Sequence, residues 1–252
     1  MKNLAPTILL YCFSQAGGSA LVFRDWQRRF PDNVRIRPVE LPGRGARRNA
    51  PLLEEYRSLV LTLTREIADD IASVQRQGGD VMYAGFGHDA GAAINFAVCS
   101  RLSQRLRKAP VHCFLSAGLA PHADRTKHSA TNDADLIEEM RARSGSALTS
   151  LGMAELLNCH LPIFRSDCAV YEQGAIDRER RLDCPMTLFA GDQDPFVAPG
   201  AMWSWERYTS YSARRVLLQG DHSSLLQEPE QMIAYIHDTV DYSGFQKTGL
   251  MA

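Results

Sequence analysis

The chain has 252 residues, 28 Lys and Arg against 29 Asp and Glu, and a formal net charge of −1 at pH 7. That length and an ordinary composition fit one α/β domain with a large buried core. The near-zero charge speaks against nucleic acid or an anionic membrane surface as a partner, and no run of about 18 apolar residues is present to span a bilayer.

Taken in order, Met1–Phe13 lacks a small-residue cleavage site, and Thr7–Phe13 reads as a central strand rather than a signal segment. Ser14–Ser19 follows as a small-residue loop whose glycines let backbone N–H groups face a ligand or an oxyanion. Leu21, Phe23 and Trp26 recur at roughly helical spacing. Val34–Glu40 alternates as a strand and ends at Leu41-Pro42-Gly43-Arg44-Gly45. Arg44, Arg47 and Arg48 read either as a solvated loop or as a basic rim for an anionic group. Leu52, Tyr56, Leu59, Leu63, Ile67, Ile71 and Val74 recur every three or four residues, which predicts one long amphipathic helix stopped by Gly78-Gly79.

The segment Val81–Leu102 then runs from an apolar strand, through Gly87-His88-Asp89-Ala90-Gly91, into an apolar helix. This is the setting of a nucleophile elbow, with Asp89 where G-x-S-x-G has serine. Asp89 could equally cap that helix, since a carboxylate is favourable at a helix N-terminus. Pro110–Ala117 predicts another strand, and the alternation implies a mostly parallel sheet with right-handed crossovers. His122–Gln173 shows helical patches at Asp135–Arg143, Met153–His160 and Asp167–Gln173 and no strand, as a lid inserted late in an α/β sheet would. Strands at Met186–Ala190 and Arg215–Leu218 feed Gly191-Asp192-Gln193-Asp194-Pro195 and Gly220-Asp221-His222. A helix lies near Ala201–Tyr208 between them, and Glu228–Val240 is the closing helix. One domain over residues 1–241, with a lid at about 122–173 and a flexible tail from Tyr242, accounts for the whole chain. The six cysteines (Cys12, Cys99, Cys113, Cys159, Cys168, Cys184) form no C-x-x-C pair and mostly sit among apolar residues, as free thiols of a reducing cytoplasm do. The seven histidines show no metal-ligand spacing, so no metal is expected.

Asp89, Asp194 and His222 stand in the chain order nucleophile, acid, histidine, each just beyond a predicted strand end, where open α/β sheets place their sites. Asp194 is preferred over Asp192 as the partner of His222 because it precedes Pro195, which ends the turn.

With these residues the chain resembles the type II thioesterases of polyketide and nonribosomal peptide biosynthesis, which have the α/β-hydrolase fold. Cys12-Phe13 with Ala16-Gly17-Gly18-Ser19-Ala20 resembles the family's oxyanion loop, Val39–Arg44 its PVQLPGR stretch, Gly87–Gly91 its GHSMG, and Leu161–Asp167 its lid sequence LPILRAD. Gly191–Pro195 and Gly220-Asp221-His222 resemble its acid and histidine loops. The resemblance implies hydrolysis of small-molecule acyl thioesters carried on the phosphopantetheine arm of an acyl or peptidyl carrier protein, with no cofactor of the enzyme's own. It implies oxyanion donors from the backbone of Ala90 and of Gln15 or Ala16, and the arginine rim would meet an acidic carrier.

Three positions depart from the family: Gln15 stands for the usual His or Tyr before Ala-Gly-Gly, Ser223-Ser224 for the bulky pair after the histidine, and Asp89 for the serine. A carboxylate, with a reference pKa of about 4, is ionised at neutral pH and needs no base to attack. On a thioester its product is a mixed anhydride, an uphill step, whereas on an sp³ carbon it is a stable ester. Three readings stand. Asp89 works in a thioesterase-like enzyme, as nucleophile or as base for water. It acts on another electrophile, or in cyclisation or acyl transfer. Or the chain binds carriers without turnover, as a pseudoenzyme or a Ser→Asp variant.

Overall fold

The computed structural model describes residues 6–52, 55–124, 127–145, 151–173 and 178–240. Six strands, β1 (Thr7–Phe13), β2 (Val34–Val39), β3 (Val81–His88), β4 (Cys113–Ser116), β5 (Met186–Gly191) and β6 (Ala213–Leu218), form one parallel sheet in the order β2-β1-β3-β4-β5-β6. This is the expected α/β-hydrolase arrangement. A parallel sheet must be covered on both faces, and all eight residues of β3 are buried.

One face is covered by α1 (Tyr56–Arg76), whose Tyr56, Leu59, Leu63, Ile67, Ile71 and Val74 are all buried, and by α2 (Ala90–Leu106). Leu52, expected in the same helix, instead lies against Gly43 in the preceding loop. The other face is covered by two 3₁₀ turns, Ala20–Phe23 and Trp26–Arg29, and by the closing helix α8 described below. The turns replace the helix suggested by Leu21, Phe23 and Trp26. Phe23 and Trp26 pack on Phe86, with ring centroids 5.9 and 5.0 Å away, while Leu21 remains exposed.

Between β4 and β5 the chain is helical. It forms α3 (Asp133–Ser144) and then α4 (Met153–Glu155), which runs through a π turn at Leu156–His160 into α5 (Leu161–Glu172). The last helix begins six residues before its expected start, because Pro162 falls in its first turn, where a missing N–H costs nothing. Leu136, Met140, Leu156, Phe164 and Cys168 form an apolar cluster with Ala16 and Ala90, so this insertion sits over the β3–α2 turn. After β5 come α6 (Pro199–Trp203) and a 3₁₀ turn to Tyr208; α7 (Ser224–Gln227) and α8 (Glu230–Val240) follow β6. The expected tail from Tyr242, and residues 125–126 and 146–150 of the insertion, lie outside the described residues.

One buried ion pair ties the insertion to the sheet. Arg44, after β2, forks onto Asp167 of α5 at 2.5 and 2.6 Å, and both side chains are nearly fully buried. Asp167 also accepts from the Gly17 N–H at 2.7 Å, and Arg44 donates to the Gly18 carbonyl at 3.0 Å. The pair therefore fixes the β1 loop as well as the insertion. This corrects the reading of Arg44 as a solvated or anion-binding residue: its charge is consumed inside the protein. Arg47 is engaged too, at 3.1 Å from Glu66.

Removing one partner of a buried pair strands the other's charge and costs about 3–5 kcal/mol. Asp167→Asn should therefore lower unfolding stability by about 3 kcal/mol in urea titrations, whereas Arg47→Ala, which breaks a partly exposed pair, should change it by less than about 1 kcal/mol.

Candidate active site

Asp89 joins β3 to α2 with φ 54° and ψ −121°, a left-handed conformation that side chains rarely adopt. Such backbone costs on the order of 1–3 kcal/mol and persists only where packing imposes it. The packing is visible at the two glycines of the motif. A Cβ on Gly87 would meet the Gly91 carbonyl oxygen at 2.2 Å, and one on Gly91 would meet the Phe13 carbonyl oxygen at 2.4 Å. The turn thus carries Asp89 to the C-terminal edge of the sheet, against the loop that follows β1.

Three of the residues singled out from sequence converge there. His222, after β6, has Nδ1 2.8 Å from Asp194 Oδ2, and Asp194 Oδ1 accepts from the N–H groups of Phe196 and Val197. Asp192 faces elsewhere, accepting from the Gly220 N–H at 2.9 Å. His222 Nε2 points at Asp89 Oδ1 from 3.7 Å, and it is buried without a hydrogen-bond partner. Asp89, Asp194 and His222 are all buried.

The two oxygens of Asp89 have different surroundings. Oδ2 accepts from the Ala16 N–H at 3.2 Å, and the Ala90 N–H lies close enough to the carboxylate to lower its pKa. Gln15, named alongside Ala16, makes no such bond among the described residues. Its carbonyl accepts from Gly18 and its Oε1 is buried without a partner. Oδ1 is held by Arg143 of α3 at 3.2 Å. Arg143 also bonds through Nε to Glu139 at 2.8 Å and lies over the Phe196 ring, 4.4 Å from its centroid. Beside these groups is a cavity of about 220 Å³, lined among others by Ala16, Asp89, Glu139, Arg143, Tyr171 and Phe196.

Arg143 went unnoticed in the sequence. The signal was available: Leu136, Met140 and Arg143 are four and three apart, which puts the arginine on the buried stripe of its helix. His88 is the second residue not singled out as functional. It lies under His222, 5.2 Å between ring centroids, with Nδ1 on Ser116 Oγ at 2.9 Å.

The charges follow from these contacts. Burial pushes the Asp89 carboxyl up, but Arg143, His222, His88 and the Ala90 N–H together outweigh it and leave the pKa below the usual value, so Asp89 is an anion. Burial likewise raises Asp194, and the hydrogen bond from His222 with those from Val197 and Phe196 brings it down further than that. His88 goes the other way, with burial first and His222 second lowering it to about 3, so it stays neutral beneath the pair. Among the described residues no cluster of His, Cys, Asp and Glu could hold a metal ion, and no helix is long and apolar enough to cross a membrane.

Two buried neutral histidines give a pH signature. His88 and His112 both titrate at about 3 in the fold and near 6.5 when unfolded. Between those values the unfolded chain binds two more protons, so stability falls as pH falls. Around pH 5 they should contribute about 2.7 kcal/mol per pH unit to the slope of unfolding free energy, halved for one of them in His112→Gln.

The profile of the Thioesterase domain family matches residues 9–240. The linear gramicidin dehydrogenase LgrE of Brevibacillus parabrevis is 32% identical over 238 residues, covering 92% of this chain and 88% of its own. The RedJ thioesterase of the prodiginine pathway in Streptomyces coelicolor superposes with a TM-score of 0.81 at 32% identity, covering 94% of this chain and 87% of its own. YbtT, the type II thioesterase of the yersiniabactin NRPS/PKS pathway, gives 0.76 at 26% identity, with 93% of each chain covered. With the profile matched from β1 to the end of α8, the protein belongs to the Thioesterase domain family.

Proposed function

We propose that the protein hydrolyses acyl thioesters presented on the phosphopantetheine arm of an acyl or peptidyl carrier protein, and that Asp89 takes up the acyl group. The family, with RedJ and YbtT as thioesterases of biosynthetic pathways, supports the substrate class. The cytoplasm is the matching location, since all six cysteines are free.

The observation that carries the role of Asp89 is the division of labour between its oxygens. Oδ2 rests on the N–H of Ala16, while Oδ1 stands beside Arg143 of the cavity wall and His222. Oδ1 attacks the thioester carbonyl carbon; the new C–O bond forms as the C–S bond breaks, and the thiolate leaves and takes a proton from solvent. The anhydride is more reactive than the thioester, so this step is uphill and is drained by the next. His222 Nε2 removes a proton from water, whose oxygen adds to Cγ of Asp89. The charge grows on Oδ2, already on the Ala16 N–H that stabilises it. The bond between Cγ and Oδ1 breaks, the acyl carboxylate departs carrying Oδ1, and His222 and the re-formed Asp89 carboxyl, which keeps the water oxygen, each release a proton to solvent. Asp194 holds the Nδ1–H of His222 and stabilises the imidazolium. The net reaction turns thioester and water into carboxylate, thiol and a proton, with no cofactor beyond the carrier's arm.

The same occupancy of the backbone donors favours one second reading, attack of Oδ1 on an sp³ carbon, which needs no donor for a carbonyl oxygen. Parallel assays with acyl-pantetheine thioesters and with epoxides or alkyl halides separate the two substrate classes.

A single turnover in ¹⁸O-water should place label in the Asp89 carboxylate, read by peptide mass, while the first product carries ¹⁶O from the enzyme. Label confined to product would make Asp89 a base for water instead. Asp89→Asn should lower kcat/KM at least about 1,000-fold, and Asp89→Ser should turn over acyl-pantetheine through His222. An Asp89→Asn variant as fast as the parent would leave carrier binding without Asp89 chemistry as the answer.

A further inference from the structure

A serine at this elbow would leave the Ala16 and Ala90 N–H groups free for the substrate's carbonyl oxygen. Here the Asp89 carboxylate takes up the first through Oδ2 and draws on the second. A thioester attacked by Oδ1 moves that negative charge onto its own carbonyl oxygen, while Oδ2, now the anhydride's carbonyl oxygen, still stands on the Ala16 N–H. Some other donor has to reach the carbonyl oxygen.

Resting on the assignment of Asp89 as acyl acceptor, we infer that Arg143 is a catalytic residue whose guanidinium binds the thioester carbonyl oxygen as charge grows on it. Its NH1 lies 3.2 Å from Oδ1, next to the attacking atom. Its direction is fixed at two points, by Glu139 on Nε and by the Phe196 ring under its plane. Glu139 is itself held by His128 on its second oxygen. These contacts use one hydrogen on Nε and one on NH1. NH2 and the second NH1 hydrogen have no protein partner among the described residues, and Arg143 lines the cavity. The fork therefore presents charged donors beside the attacking oxygen, where a cationic hydrogen bond is about twice as strong as a neutral one. No bond to Arg143 forms: the oxyanion appears as the C–O bond is made and collapses as the C–S bond breaks.

The titratable and charged groups facing Arg143 are Asp89 from the elbow, Glu139 from its own helix, Cys168 from α5 and, behind Asp89, His222. Removing Arg143 takes away the leading cation that lowers Asp89, so the acid limb that the Asp89 anion sets, separate from the one set by the His222 base, should move to higher pH. In the parent, Arg143→Gln should lower kcat for acyl-pantetheine hydrolysis about 100- to 1,000-fold with KM within about 3-fold, and Arg143→Lys should recover part of the loss. In the Asp89→Ser background the backbone donors are free, and the same Arg143→Gln change should cost at least about ten times less than in the parent. Equal losses in the two backgrounds, or a loss carried by KM with an unmoved acid limb, would overturn the inference and leave Arg143 as a strut of the lid. The kcat–KM split and the acid limb decide the matter in the parent even if the serine background is inactive. Failure of this inference leaves the ¹⁸O label in Asp89, whereas failure of the proposed function removes that label, so the two are told apart.

Discussion

Asp89 is 3% exposed and sits where the sheet edge, α2, α3 and the loop after β6 meet, so its charge has to be met by groups those elements bring to it. A carboxylate taken out of water costs several kcal/mol unless paired and hydrogen-bonded. The answer here is distributed: one N–H from the β1 loop, one from the start of α2 together with the helix dipole, and a guanidinium from the insertion. The chain spends strained backbone at the same position. A neutral side chain would need none of the cation and only part of the rest.

The insertion between β4 and β5 is consequently bound to the sheet by charge as well as by its apolar cluster. Arg143 reaches down from α3 to the elbow, while Asp167 reaches down from α5 to Arg44 and to the Gly17 N–H. The second contact matters for the first. Gly17 is the neighbour of Ala16, so the fork that closes the lid also sets the N–H that Asp89 uses. Moving α5 would loosen that donor, and moving α3 would uncover the carboxylate. Lid position and site electrostatics are one coupled system.

Most of this was readable in the residues because it is written in local terms. Strand periodicity, the glycines around Asp89 and the order Asp89, Asp194, His222 depend on short stretches, and Asp194 rather than Asp192 faces the imidazole as the turn chemistry suggested. What was misread depends on distant partners. Arg44 looks like a loop arginine until Asp167, 123 residues later, is folded against it. Arg143 looks like surface until its helix is docked. Leu21, Phe23 and Trp26 have helical spacing, yet the chain takes 3₁₀ turns there because packing on Phe86 fixes two of the three and leaves Leu21 outside. Of the oxyanion donors, sequence could not choose between Gln15 and Ala16, since a one-residue difference in a glycine-rich loop is set by the close approach of α2.

The separation of 3.7 Å between His222 Nε2 and Asp89 Oδ1 bears on what the histidine can do. Nδ1 donates to Asp194, so in the neutral ring Nε2 carries a lone pair. Asp89 Oδ1 is an anion's oxygen and also offers only lone pairs. Two acceptors repel, which is why they stand nearly 1 Å further apart than His222 and Asp194 do at 2.8 Å. A serine hydroxyl would have supplied the missing hydrogen; an aspartate cannot. The histidine therefore has nothing to take from Asp89 and its basicity is reserved for a molecule carrying its own hydrogens. A water bridging the two acceptors would donate one hydrogen to each and place its oxygen close to Cγ. In the proposed mechanism, aspartate in place of serine moves the work of His222 from activating the nucleophile to activating the water that regenerates it.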